Sequence, residues 1–352
     1  MVEKISQAAQ DAVNKRFQAV ATKDPINELL YNLALQRLKN GPIADDFTKD
    51  IYTHIPDAQD YLEMRRKVSL LPLDKVKEKI KLPSAPGVIL ELQKAIDQGH
   101  SSKRIAEIIR YDLKLTAAIL SLVNSPLYAL PFKLESLERA ITIIGTREIS
   151  SLGLALQILS MFEDSNPESL PIKTFWKHSV ACAVLAHDIA LLCAKKEPEK
   201  YLVAGLMHDM GRALLFSNYP DLAMVALALQ QENEVSLLKT ELDIFDVQHS
   251  MIGAILFGHW QMPKNIVQSA LYHHDPQMCL GKEVPEVIYV ANQIATALGI
   301  SCNRNYDMDP ATEIWERLNL KENELYSLVE NLDERLWAIF CSLFPSSSEC
   351  PR

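Results

Sequence analysis

The histidines are the residues of this 352-residue chain with the most chemistry to offer. Seven of the nine lie between residues 172 and 300. The dipeptide His-Asp occurs three times, at His187-Asp188, His208-Asp209 and His274-Asp275. Imidazole suits Zn, Fe, Ni and Mn ions, and a carboxylate adds hardness and negative charge. One Asp bridging two ions, with histidines around it, is a sound dinuclear arrangement. A buried histidine taken singly is more often a hydrogen-bonded core residue. Only several inward histidines together point to a metal.

Helical geometry sorts them. His178 shares a face with Ala181, Cys182, Leu185, Ile189 and Leu192, so it points inward with the apolar stripe. His187 is about half a turn round from it, and His187-Asp188 is expected to be a solvated pair. His249 shares a face with Ile252, Leu256 and Trp260 and also points inward. His259 lies off that face, a bystander. His208-Asp209 sits in Ala204-Gly-Leu-Met-His-Asp-Met-Gly-Arg212, where Gly205 and Gly211 let backbones or ligands come close. His273 and His274 are expected to end a helix over 264–274, before Asp275-Pro276. Adjacent helical residues project about 100° apart, so these two are expected to serve two neighbouring sites rather than one ion.

The elements that position these residues read as helices throughout. Gly is scarce, with 11 residues, and runs rich in Ala, Leu, Glu, Lys and Gln favour helix. No series of alternating β-branched strands with hairpin turns is apparent. The pattern predicts an all-α protein. Residues 1–80 read as a helical extension, with Asn27 capping a helix that Gly41-Pro42 closes and a weaker helical stretch over 45–66. Residues 81–163 form a first subdomain: a helix over 87–98, one capped by Ser101 or Ser102, one over 116–123, one opened by Ser136 and stopped at Gly145, and one over 146–162. A polar break at 163–169 precedes a second subdomain over 170–300. Residues 301–352 supply a helical region over 310–344 and a polar tail.

Composition narrows the function. The net charge is −9, and an acidic balance disfavours general nucleic-acid binding. The six cysteines lack CxxC spacing, and most sit beside apolar residues as reduced core thiols, which fits a cytoplasmic setting. The N-terminus lacks the apolar run of a signal peptide, and no stretch of about 18 apolar residues is present to span a membrane.

Several motifs together carry a family resemblance. They are Leu82-Pro-Ser-Ala-Pro86, Leu122-Val-Asn-Ser-Pro126 with Tyr128, Ala140-Ile-Thr-Ile-Ile-Gly145, Phe175-Trp-Lys-His178, Gly205 to Arg212, His249 with Gly253, Trp260-Gln-Met-Pro263 and Tyr272-His-His-Asp-Pro276. This ordered set, from Leu82 to about Leu298, resembles the HDOD domain, a bacterial signalling relative of the HD phosphohydrolase superfamily and of the HD-GYP phosphodiesterases. The resemblance implies a helical N-terminal subdomain, an HD-like C-terminal one, and a signalling role through protein partners. It also implies a divalent-metal site (Fe, Mn, Zn or Ni) on His178, His208, Asp209, His249, His273 and His274. Asp209 would be the bridging carboxylate, and Arg212 would face phosphate.

Two departures bear on activity. Thr174 stands one turn before His178, where dinuclear HD-GYP enzymes place an acidic ligand. Asn292 stands where HD enzymes usually carry the last Asp ligand, and the GYP segment is absent after His274. The expectation is therefore a regulatory protein that keeps a retained or partly degenerate metal site. The competing expectation is a metal-dependent phosphohydrolase of nucleotides or cyclic nucleotides, with Asp209 and Arg212 in catalysis and Lys177 assisting. A third expectation is a ligand sensor, whose pocket binds a small phosphate, a nucleotide or a metal without turning it over.

Overall fold

The computed structural model describes residues 7–18, 20, 24–39, 82–161, 172–233, 236–301, 306, 308 and 310–344. All regular structure among them is helical. The stretch over 45–66, the polar break at 163–169 and the C-terminal tail lie outside the described residues.

Two helices open the fold, α1 (Gln7–Arg16) and α2 (Pro25–Lys39). Asp24, not Asn27, caps α2: its Oδ1 accepts from the backbone N–H of Ile26 at 2.9 Å and of Asn27 at 3.2 Å. Pro25 takes the first helical position, where a missing N–H costs nothing, and this moves the cap one residue upstream of it.

The first subdomain contains α3 (Gly87–Asp97), α4 (Ser102–Arg110), α5 (Leu113–Val123), α6 (Leu137–Ile144) and α7 (Thr146–Ser160). Ser101, Asp112 and Ser136 cap α4, α5 and α6 through their side-chain oxygens. Asp112 starts α5 three residues earlier than the sequence pattern suggests. Asn124 staples the following loop, exchanging hydrogen bonds with Leu134 at 2.7 and 2.8 Å.

The second subdomain is built on α8 (Ile172–Leu192), with α9 (Glu199–Met207), α10 (Met210–Asn218), α11 (Pro220–Asn233), α12 (Leu237–Phe245), α13 (His249–His259), α14 (Lys264–Tyr272), α15 (Pro276–Cys279) and α16 (Glu283–Ala297). Residues 175–190 of α8 are all buried, because α9, α16 and the C-terminal helices pack around it. A Cβ on Gly205 would stand 2.7 Å from the Ala183 Cα, so glycine lets α9 cross α8 at close range. Gly211 does the same for α10 against α13, where a Cβ would collide with the His249 carbonyl. The two subdomains meet through α7 and α9. Trp260 Nε1 donates to the Pro83 carbonyl at 2.8 Å, joining two of the sequence motifs across that boundary.

The expected C-terminal helical region is three short helices, α17 (Thr312–Leu318), α18 (Glu322–Val329) and α19 (Leu332–Leu343). Asn319 and Asn331, both left-handed, break it. α2 packs on α16 and α18. The buried Arg37 grips Asp333 at 2.7 Å and donates to the Leu298 carbonyl at 2.5 Å.

Packing of α19 on α8 overturns one sequence expectation. His187 and Asp188 are buried, not solvated: His187 Nδ1 lies 3.3 Å from Asp188 Oδ1, and Arg335 of α19 pairs with Asp188 at 2.8 Å. His259 is exposed. Cys182, Cys193 and Cys279 are free thiols as expected, whereas Cys341 is disulfide-bonded, an exception to the reduced thiols that the spacing suggests. No described helix is long and apolar enough to cross a membrane.

Candidate metal centre

Four segments deliver the site, one within a helix and three at helix ends. His178 comes from the first half of α8, His208 and Asp209 from the joint between α9 and α10, and His249 from the first residue of α13. His273 and His274 follow α14. His178, His208, Asp209, His249 and His273 are at most 2 % exposed.

The imidazoles share one orientation. His178 Nδ1 donates to the Ile300 carbonyl at 2.6 Å, and His208 Nδ1 to the Gly205 carbonyl at 2.6 Å. His273 Nδ1 faces the carbonyls of Ser269 and Ala270 at 3.1 and 2.9 Å. His249 Nδ1 meets the Glu241 carboxylate at 2.5 Å. Each ring thus spends Nδ1–H on an acceptor behind it and turns Nε2 inward. This is the arrangement that fixes a metal-ligating tautomer.

The Nε2 atoms gather around Asp209. His249 and His273 bring theirs to 2.9 and 3.4 Å from its Oδ1, and to 3.1 Å from each other. Ligand atoms held about 2.1 Å from a tetrahedral ion stand about 3.4 Å apart, so these spacings suit a single ion. The ligand atoms of Asp209, His249, His273 and His274 all lie within 4.8 Å of one another. His178, Cys182 and His208 form a second such group, with His178 Nε2 at 3.9 Å from Asp209 Oδ2. The Nε2 atoms of His208 and His274 are buried without a hydrogen-bond partner. An ion would satisfy them. The donor set fits a divalent metal.

Electrostatics agree. Burial, aided by neighbouring histidines, pushes His178 down to about 4 and His208 down to about 3, and it also lowers His273 and His274. These rings are neutral, as ligation requires. Burial opposes ionisation of Asp209 and Glu241, but Arg212 and His249 hold both carboxyls below their ordinary range. Burial and Arg212 press His249 down, yet Glu241 and Asp209 keep it above its usual value.

The structure brings all six sequence-predicted ligands together, with one correction. His273 and His274 stand in the same ligand group, not in two. Both follow the last residue of α14, Tyr272, and their rings lie 4.1 Å apart, close enough for both to face the same ion.

Arg212 does not face open space. Its Nη1 contacts Asp209 Oδ2 at 2.5 Å and its Nε contacts Glu241 Oε1 at 3.1 Å, with the side chain buried. Lys177 is buried on α8. Asn292 is buried on α16 with its amide nitrogen unpartnered. Thr174 lies on α8, and its side chain is outside the described residues.

Sequence reasoning missed Glu241 and the donor role of Cys182. Glu241 is fully buried and accepts from Arg212 Nε, His249 Nδ1 and the His249 backbone N–H. A signal was present: Leu237, Thr240, Glu241, Ile244 and Phe245 recur at helical spacing, which puts the carboxylate on the buried stripe of α12. Cys182 lies one turn after His178 on the same face, 3.6 Å from its Nε2. Its thiol is pushed well up by burial.

An all-helical fold around a buried histidine–aspartate centre defines the class, and comparison with known proteins defines the family. The HDOD domain model matches residues 82–276, and the chain belongs to the HDOD family. A Treponema pallidum protein of uncharacterized function is 24% identical over 200 residues; the chain spans 38% of its length, and the match covers 55% of the chain. Among solved structures, an HDOD domain protein of unknown function from Geobacter sulfurreducens has a TM-score of 0.61 at 22% identity, covering 82% of this chain and 99% of that one. A Shewanella amazonensis protein provisionally named a metal-dependent phosphohydrolase has a TM-score of 0.54 at 20% identity, covering 81% and 98%. A Marinobacter aquaeolei protein provisionally named a signal transduction protein has a TM-score of 0.61 at 14% identity, covering 84% and 68%. At these identities the likeness speaks for the fold.

Proposed function

We propose that the chain is a regulatory protein of bacterial signal transduction, acting in the cytoplasm through protein partners. Its histidine–aspartate centre holds a divalent ion inside the fold and does not present it to a substrate. The observation that carries this reading is the Arg212 fork. Asp209, the carboxylate that two ions would have to share, already has one oxygen committed to a guanidinium at 2.5 Å. A carboxylate that bridges two ions gives one oxygen to each, and the guanidinium puts a positive charge where the second ion would sit.

Burial supports the same reading. A cleft of about 870 Å³ lies between the subdomains and is lined by both basic and acidic side chains, among them Lys94, Lys264, Lys282, Glu148 and Glu199. None of the six predicted ligands lines it.

A second reading, metal-dependent phosphohydrolysis, is favoured by the convergence of imidazole nitrogens on the Asp209 carboxylate. A bound ion supplies Lewis-acid polarisation of a phosphoryl oxygen, and Asp209 and the histidines would hold it. The deciding experiment loads purified protein with Mn or Fe and assays a panel of phosphoesters beside the Asp209→Ala variant. The regulatory reading predicts no turnover above that control. Turnover that Asp209→Ala abolishes would replace it with the hydrolytic one.

A further inference from the structure

We infer that Arg212 is a resident cation that limits the centre to one divalent ion, with Glu241 as the latch that holds it in place. The inference deepens the metal-centre reading above and rests on it. The two ligand groups meet at Asp209: Oδ1 faces His249 and His273, and Oδ2 is the oxygen nearer His178. A second ion on His178, His208 and Cys182 would draw on Oδ2, because that group contains no carboxylate of its own and Oδ2 lies 3.9 Å from His178 Nε2.

Oδ2 is the oxygen that Arg212 takes. The guanidinium stays charged at any pH the fold survives, so it cannot vacate the place by losing a proton. Glu241 binds its Nε at 3.1 Å, and the same carboxylate binds His249 at 2.5 Å. One residue therefore does two things: it orients a ligand of the first ion and pins the cation that excludes the second. The buried charges of Asp209, Glu241 and Arg212 leave a net negative charge for a single dication to meet.

The test is metal stoichiometry, read without reference to turnover. Wild type, R212Q and the double variant R212Q/E241Q are titrated with Mn²⁺ by calorimetry and analysed for bound metal after dialysis. The double variant removes the ion pair as a unit and guards against the misfolding that a lone buried Glu241 would cause. The inference expects one ion on the wild type. It expects a second on R212Q or on the double variant, with at least a tenfold gain in affinity at that site, the scale on which residues behind a metal site act. One ion on all three proteins with unchanged affinity overturns the latch while leaving the metal centre standing. Two ions on the wild type also overturn it. No ion on any of them overturns both the latch and the metal reading beneath it.

Discussion

Glu241→Gln is the perturbation that probes the centre with least change of shape. The carboxylate accepts three hydrogen bonds, from Arg212 Nε at 3.1 Å, His249 Nδ1 at 2.5 Å and the His249 backbone N–H at 3.1 Å. Glutamine keeps one acceptor oxygen and puts an NH₂ against donors at the other position. It also leaves the Arg212 charge balanced by Asp209 alone. Removing one partner of a buried ion pair costs about 3–5 kcal/mol, and a retained acceptor places this variant near the lower end, about 3 kcal/mol. With an m-value of about 3 kcal/mol per molar urea, the midpoint falls by about 1 M. Urea unfolding followed by circular dichroism gives both numbers. A loss below about 1 kcal/mol, within the range of an ordinary neutral hydrogen bond, would refute the view that Glu241 is the keystone of the centre. The R212Q/E241Q double variant should be less destabilised than the sum of the two singles, because the pair then leaves together.

Other outcomes follow from the same packing. Gly211→Ala drives a methyl group into the His249 carbonyl and the Gly253 amide, so it should destabilise by more than 2 kcal/mol, and thermal unfolding of the variant would show it. Arg37→Met breaks the buried pair with Asp333 and the bond to the Leu298 carbonyl, and should cost about 3 kcal/mol in chemical denaturation. Trp260→Phe removes the donor to Pro83 and should cost about 1 kcal/mol and increase amide exchange in the 82–86 segment. Acid should destabilise the fold through His178 and His208. Both are depressed below 6.5 in the native state, so the unfolded chain binds protons first, and stability is full above about pH 6.5 and falls as pH drops toward 4. Replacing both histidines with glutamine should flatten that slope in a pH series of unfolding midpoints.

Much of the fold was legible because local signals and burial agree. Ser101 and Ser136 cap the helices that they precede, and the inward faces of His178 and His249 follow from helical periodicity. The errors arise where a distant segment changes the environment of a face. His187-Asp188 reads as solvent-facing on α8 until Arg335 of α19 pairs with Asp188 and the Tyr128 ring lies against His187. His273 and His274 read as serving two sites, whereas α14 ends two residues early and both fall in one ligand group. Glu241 escapes notice because a lone Glu on a helix belongs to no motif, and although helical spacing puts it on the buried stripe of α12, its role appears only with the partners Arg212 and His249, 29 and 8 residues away. The ordered motif set located the six candidate ligands, but it could not show that Arg212 turns toward Asp209 and not outward.

The central claim is that this HDOD protein carries a divalent-metal centre organised on Asp209. Metal analysis of wild-type protein purified without chelator, set beside His273→Ala and Asp209→Ala, tests it most directly. The account predicts a single ion per wild-type chain, lost in both variants, with each variant still folded by circular dichroism. Wild-type protein that is metal-free as purified, and that takes up no Mn, Fe, Zn or Ni on titration, would contradict it.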